Sequence, residues 1–368
     1  MSDQGSVDTC TARNRLRCTK SPSVGGVQVS EIRFRIMPFW HTRTVLITGS
    51  TGFIGSHLAE RLVAEGAGVR VLARDPQKLL PSLRGRVEVV RGDLLQPDCF
   101  AAATKDCEFV FHVAAWLGQP NRREVAHAIN VAATRQLAEA ARAAGVRRFV
   151  STSSIAVYGP VLEGVVDETW PHSAVYLYGE TKSLGEQAAF AAQTDRFEVT
   201  VIRPAEVYGP RGGAWTTLPV KLVQRGMPAL IGGGHGLAHP VYVENLVEAY
   251  LLAAQRGAAI GEAFTICDAD VPWRDFYGRY ASMAGKRARS IPVWLAWCGA
   301  LGAELGAKIT RRPPAISRAQ LGFVTGRCRY STDKARRLLG WSPRVSLDEG
   351  LRQTEIWLRQ IKMINDQW

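Results

Sequence analysis

Three glycines spaced three apart, Gly49, Gly52 and Gly55, stand between two segments of different periodicity. Before them, Thr44-Val45-Leu46-Ile47 is β-branched and apolar throughout, the pattern of a parallel strand buried on both faces. After them, Ser56 to Gly66 places Leu58, Ala59, Leu62 and Val63 on one helical face. A strand that turns through glycines straight into a helix restricts the chain to a βα unit. Free backbone N–H groups and the positive end of the helix dipole then meet at the strand end, where they suit a phosphate. Gly49 permits the tight turn, Gly52 lets a pyrophosphate approach, and Gly55 lets helix and strand pack closely; Phe53 and Ile54 lie between them. The alternative is an ordinary glycine-rich turn, against which the flanking strand and helix weigh.

Five more strands, near Val69, Val87, Glu108, Arg147 and Val199, alternate with helical segments. That alternation predicts an α/β fold with a doubly wound parallel sheet. The second strand, Val69 to Ala73, ends at Arg74-Asp75-Pro76. An acid there would hold the ribose hydroxyls of NAD, and Asp75 is close to the right distance. Ala73 takes the strand's last position, however, and the Arg74 guanidinium suits the 2′-phosphate of NADP. The reading is NADP(H) in preference to NAD(H); a solvated Arg–Asp pair is the alternative.

Farther along, Arg147 to Thr152 delivers Ser153 and Ser154 to a strand's C-terminal end, where open α/β sheets bind ligands. Tyr178 and Lys182 are four apart, on one face of a helix running to about Ala192. A neighbouring ammonium and a positive nicotinamide ring would both favour the tyrosinate, bringing Tyr178 toward a working acid/base. Ser154 would hydrogen-bond the substrate oxygen, and Lys182 would also hold the nicotinamide ribose. A surface pair on a helix is the alternative for Tyr178 and Lys182, and the upstream dinucleotide turn weighs against it.

With these segments in order, residues 43–359 resemble the extended short-chain dehydrogenase/reductases. The resemblance adds Asp93 and Leu94 as an adenine contact, and His112-Val113-Ala114-Ala115 as the strand end beside the nicotinamide ribose. It implies a structural role for Asn130. It also covers Ser153 to Gly159, Arg203 to Pro210, His239 to Asn245, and the tail Ser331 to Pro343. It implies a Rossmann domain of residues 41–209 and 239–267, with a helix from Tyr242 to Ala259 returning to it. A smaller, discontinuous C-terminal substrate lobe would take 210–238 and 268–345, and a C-terminal helix 346–368. A homodimer built through a four-helix bundle is also implied.

Two departures bear on the branch. Nucleotide-sugar enzymes of this kind often carry Asn where this chain has Glu206, and Arg where it has Ala238. A carboxylate facing a diphosphate is repulsive without a cation between them. The His239–Asn245 segment and the Arg74 site look more like the 3β-hydroxysteroid dehydrogenase and dihydroflavonol reductase branch. The expected activity is an NADP(H)-dependent reductase or dehydrogenase on an apolar, steroid- or flavonoid-like ketone or secondary alcohol, with catalytic Ser154, Tyr178 and Lys182. A nucleotide-sugar epimerase or dehydratase, and a non-catalytic NADP-binding sensor or scaffold, are the other readings. Pro292 to Leu305 is a strongly apolar helix with Trp294 and Trp297, too short to span a bilayer. It is a core helix, one wall of an apolar pocket, or an edge resting on a membrane.

Residues 1–40 are read as a disordered extension, poor in apolar periodicity and without a signal-peptide core; Met37 close to the first strand fits an upstream start. The seven cysteines show no Cys-x-x-Cys spacing, which fits reduced thiols in a cytoplasmic protein with no zinc site. His235 and His239 sit in a glycine loop and are not read as metal ligands, and Glu244 is read as a solvated or capping carboxylate. Net charge is +13, with ten Lys or Arg against one acid between Lys308 and Arg344. No nucleic-acid module accompanies it. The basic surface is read as solvated, or as attracted to an anionic cofactor or membrane.

Overall fold

The computed structural model describes residues 38–118, 122–310 and 317–364. Its centre is a seven-stranded, wholly parallel sheet. In chain order the strands are β1 (Thr44–Thr48), β2 (Gly68–Ala73), β3 (Glu88–Arg91), β4 (Phe109–His112), β5 (Arg148–Thr152), β6 (Glu198–Pro204) and, after short strands outside the sheet that include β7 (Glu206–Tyr208) and β8 (Pro240–Tyr242), β9 (Ala263–Ile266). Across the sheet the order is β9-β6-β5-β4-β1-β2-β3. Chain direction across the sheet reverses between β1 and β4, and such a switch point opens a crevice at the strands' C-terminal ends.

Alternation along each strand divides the core in two. Val45, Ile47, Val71 and Phe111 face one layer, with Leu58 and Leu62 of α1 (Phe53–Ala64). Leu46, Leu72, Val110 and Phe149 face the other, with Leu137 and Ala141 of α2 (Ala133–Ala143). Next to α2 packs α3 (Leu177–Ala191), the helix expected around Tyr178. The returning helix is α4 (Val243–Gln255), which packs against α1, β5 and β6. Arg148 of β5 is buried and donates to the carbonyls of Ala253 and Ala254, closing the end of α4.

The two short strands, β7 (Glu206–Tyr208) and β8 (Pro240–Tyr242), pair in parallel just beyond β6. They share a third core with α5 (Trp273–Met283) and α8 (Leu347–Gln360), built on Tyr208, Tyr242, Phe276 and Leu351. Between these helices lie α6 (Val293–Thr310) and α7 (Arg318–Thr325). Asn245 joins the tail to the sheet: its Nδ2 donates to Val345 O, its Oδ1 accepts from Arg344 N and Val345 N, and its backbone oxygen takes the Trp341 indole N–H.

The structure differs from the expected boundaries in two places. The seventh strand, β9, was not among the expected six. Order also begins before residue 41: Trp40 is fully buried, with its ring 5.1 Å from that of Phe109. Burying an indole outweighs the polar composition around it. Residues 1–37, where most of the expected disordered extension falls, lie outside the described residues.

Candidate active site

Gly49 turns the chain at the end of β1 with φ +78°, and a Cβ there would lie 2.8 Å from Ala114 N. At Gly55 a Cβ would lie 2.3 Å from the Gly49 carbonyl oxygen. These two positions therefore exclude any larger residue. Gly52 N donates to Gly49 O at 2.9 Å, closing the turn that starts α1. A cleft of about 680 Å³ opens over this turn. Every cofactor residue read from the sequence outside α3 lines it: Gly49, Gly52, Phe53, Ile54 and Gly55 at the turn, Arg74 beyond β2, Asp93 and Leu94 beyond β3, and Ala114 beyond β4.

At the β2 end of the cleft the charges are arranged unevenly. Arg74 is 72% exposed, with its guanidinium 3.8 Å from the Asp93 carboxylate. Asp75 is occupied locally: it accepts from Gln77 N at 3.1 Å and lies 3.8 Å from the Lys78 ammonium. Lys78 also lines the cleft and was missed from the sequence. The available signal was its position four residues after Arg74, just past the strand end.

The inner wall is a chain of hydrogen bonds. Thr48 Oγ1 accepts from Ala114 N at 3.2 Å and bonds His112 Nδ1 at 2.9 Å. The other His112 nitrogen bonds Thr134 Oγ1 at 2.9 Å. Burial, reinforced by the Lys182 charge, pushes His112 down to about 3, so its ring is neutral. Asn130 clamps the following loop, accepting from Trp116 N at 2.7 Å and donating to Thr181 Oγ1 of α3 at 3.0 Å. That is the structural role expected of it.

Ser154, Tyr178 and Lys182 do not line this cleft; they lie beyond it, at the ends of β5 and α3. Ser154 Oγ accepts from Ala156 N at 3.1 Å, and its hydroxyl stands within reach of the Tyr178 hydroxyl. Lys182, one turn on, is buried and donates to Thr152 O. Burial pushes the Tyr178 hydroxyl up to about 12, against the lowering effect of Ser154. The sequence reading expected Lys182 to bring Tyr178 down; its ammonium is instead turned to the β5 carbonyl, and burial dominates. Burial also lowers Lys182 to about 8, against Glu186. Glu186 takes two N–H donors from Arg203 of β6, so a buried ion pair ties α3 to the sheet.

Four further polar residues find partners far away in the chain. Glu244 is not merely solvated or capping: it bonds His57 Nδ1 of α1 at 2.5 Å. His235 and His239 do not converge, since the first bonds Arg274 Nη1 at 2.9 Å and the second Asp270 Oδ1 at 2.7 Å. Glu206 is buried and accepts from His239 N at 3.0 Å. Burial raises its carboxyl pKa despite the nearby His239. Burial would lower His239, but the Asp270 bond, Cys328 and the charges of Glu206 and Asp270 together outweigh it and raise the imidazole to about 10.

The glycine cradle, the cleft and the cations at its β2 end fit a dinucleotide. Residues 45–267 match the NAD dependent epimerase/dehydratase family. The chain belongs to that family. The mouse sterol-4-alpha-carboxylate 3-dehydrogenase, decarboxylating, is 30% identical over 84% of this chain and 89% of its own. The 4-hydroxy-2-methyl-3-oxo-4-farnesyl-3,4-dihydroquinoline-1-oxide ketoreductase of Stigmatella aurantiaca is 30% identical over 83% and 93%. Among solved structures, MoeE5 in complex with UDP-glucuronic acid and NAD is 28% identical over 86% of this chain and 99% of its own, with a TM-score of 0.69. As a member of the epimerase/dehydratase family, the chain is an NAD(P)-dependent oxidoreductase of the extended short-chain dehydrogenase type.

Proposed function

We propose that this enzyme interconverts a ketone and a secondary alcohol on an apolar substrate, with NADP(H) preferred to NAD(H). The observation that carries the reading is the meeting of Ser154 and Tyr178 at the sheet's C-terminal end, with Lys182 one helical turn on. Bound NADP(H) supplies the hydride. Gly49, Gly52 and Gly55 would hold its pyrophosphate with backbone N–H groups, and Lys182 its nicotinamide ribose. Tyr178, protonated at neutral pH, donates its proton to the carbonyl oxygen in the reductive direction and recovers it from the alcohol in the other. Ser154 holds that oxygen in place. The named activities of the mouse and Stigmatella relatives support a carbonyl on a largely apolar skeleton.

The coenzyme preference rests on Arg74 and Lys78, two exposed cations at one end of the cleft, and on Asp75, whose carboxylate is engaged elsewhere. A charge-assisted hydrogen bond is worth about 1.5–3 kcal/mol. Arg74→Ala is therefore expected to weaken NADPH binding about tenfold or more and to leave NADH binding within about twofold. Fluorescence titration of both coenzymes measures this, and an unchanged NADP preference contradicts it.

A peripheral contact with anionic membrane is assigned to α6. Its outer stripe exposes Trp294 (67%), Trp297 (45%) and Leu305 (52%), while Ala296 and Ala300 pack toward Leu321 of α7. Exposed Lys286, Arg287 and Arg289 lead into the helix. Such an arrangement suits the interface of a bilayer, with cations toward the headgroups. Among the described residues no helix is long and apolar enough to cross a membrane. Trp294→Ala with Trp297→Ala is expected to lower the fraction sedimenting with phosphatidylserine vesicles by about tenfold, and raised salt to lower it further. Equal sedimentation of the double variant contradicts the assignment.

A further inference from the structure

Beyond β7 the chain crosses through Gly209, Pro210 and Arg211 toward Val220 of the third core. This crossing is fastened to α1, the helix that opens from the glycine turn, at two neighbouring residues. His57 Nε2 lies 3.0 Å from Pro210 O, and Glu60 Oε2 accepts from Arg211 Nη2 at 2.7 Å. Arg211 has φ +71°, a left-handed conformation that a residue with a side chain keeps only where its surroundings impose it. Thr216 closes the segment from its far side: Oγ1 accepts from Gly209 N at 3.1 Å and donates to Gly209 O at 3.2 Å.

His57 is 7% exposed and engaged at both ring nitrogens. Nδ1 lies 2.5 Å from Glu244 Oε1 of α4, while Nε2 faces the Pro210 carbonyl. Both partners are acceptors, and a neutral imidazole has a single N–H to give, so the two bonds form together on the imidazolium. The other acids around it are already engaged. Glu60 also accepts from Ser82 Oγ at 2.6 Å, and Glu65 pairs with Arg61. Glu248, one turn along α4, meets Arg61 at 3.2 Å and Arg344 at 2.8 Å.

The same imidazole reaches back to the coenzyme cleft. Its ring stands edge-on to that of Phe53, 5.7 Å between centroids. Phe53 is the first residue of α1; it lines the cleft and packs on the third core. One helical turn therefore joins the backbone that would take a pyrophosphate to the bond that fixes the crossing.

We propose that His57, with Glu60 beside it, is a positioning residue that carries coenzyme binding at the glycine turn to the crossing, so that a bound dinucleotide holds residues 209–217 closed. Opening the segment frees Pro210 from His57 and loosens Phe53 between cleft and third core. A pyrophosphate on the Gly52 backbone and the α1 N-terminus resists that movement. The device needs coenzyme at the glycine turn and is independent of the substrate and of the reaction.

Hydrogen exchange of residues 209–217, read by mass spectrometry with and without saturating NADP+, tests this. In the wild type NADP+ is expected to slow exchange there about tenfold, the scale of one charge-assisted hydrogen bond. In H57N, whose amide can serve Glu244 but not Pro210, the slowing should fall within about twofold, with NADP+ affinity within about threefold of wild type. H57Q, whose amide lies nearer the place of Nε2, should keep most of it. A brace with no link to the coenzyme would let exchange rise equally with and without NADP+. The H57N ratio would then equal that of the wild type, which overturns the proposal, as does a segment that NADP+ leaves unprotected in the wild type. Should H57N melt early, E60A releases Arg211 at a more exposed site; NADP+ should then slow exchange by less than about threefold, and protection equal to wild type overturns the proposal.

Discussion

Tyr178→Phe is expected to lower kcat about a thousandfold while leaving NADPH affinity within about threefold. The substitution deletes one oxygen and keeps the ring, so the packing of α3 is undisturbed. What disappears is the hydroxyl that stands within reach of Ser154. Lys182 keeps its bond to Thr152 O, and the glycine turn is untouched, so coenzyme binding has no reason to change. Positioned acids and bases contribute about 10²–10⁴ in rate, and the proposed mechanism gives the proton transfer to Tyr178. Stopped-flow hydride transfer and coenzyme titration on the same preparation separate the two effects. Near wild-type turnover would remove Tyr178 from its role, and a parallel loss of coenzyme affinity would make it a binding residue instead.

The largest expected effect on stability falls at Glu186. Its carboxylate accepts from Arg203 Nε at 3.0 Å and from Nη2, and both side chains are almost wholly buried. Arg203 also donates to Tyr158 OH at 2.8 Å, and Tyr158 bonds Thr265 of β9 at 2.9 Å. Glu186→Ala leaves a buried guanidinium without its counter-ion, which typically costs about 3–5 kcal/mol. For a chain of this size that corresponds to a fall of roughly 10 °C in Tm. Activity should fall with it, because α3 carries Tyr178 and Lys182 and is held to β6 by this pair. Replacing Arg203 by Met in the Glu186→Ala background removes the orphaned charge and is expected to recover part of the loss. A Tm within about 2 °C of wild type for Glu186→Ala would show that the pair does not hold the helix.

Local chemistry explains what could be read from the sequence. The glycine spacing, the apolar strand before it and the amphipathic helix after it are consecutive, so the cradle at Gly49 to Gly55 was legible at once. The same holds for Tyr178 and Lys182, which one helical turn brings together. Partners distant in the chain were not legible. Glu244 meets His57 across 187 residues, and Glu206 meets His239 only because β7 and β8 pair. Trp40 is buried by Phe109 and Phe111, which no local pattern links to it. The seventh strand, Ala263-Phe264-Thr265-Ile266, has only four residues and no alternation, too short for periodicity to declare. The tuning of Tyr178 failed for a different reason. Spacing placed Lys182 near it, but the direction of the ammonium and the degree of burial belong to the assembled fold.

The central claim is net redox chemistry on a carbonyl, and one measurement addresses it most directly. Purified protein is given NADPH and a panel of steroid, flavonoid and aliphatic ketones, with UDP- and GDP-sugars in parallel reactions resolved by chromatography. The account predicts loss of NADPH in equal amount to alcohol formed from a ketone, with the sugars unchanged. Conversion of a nucleotide sugar with no net change in coenzyme would contradict it and make the enzyme an epimerase or dehydratase.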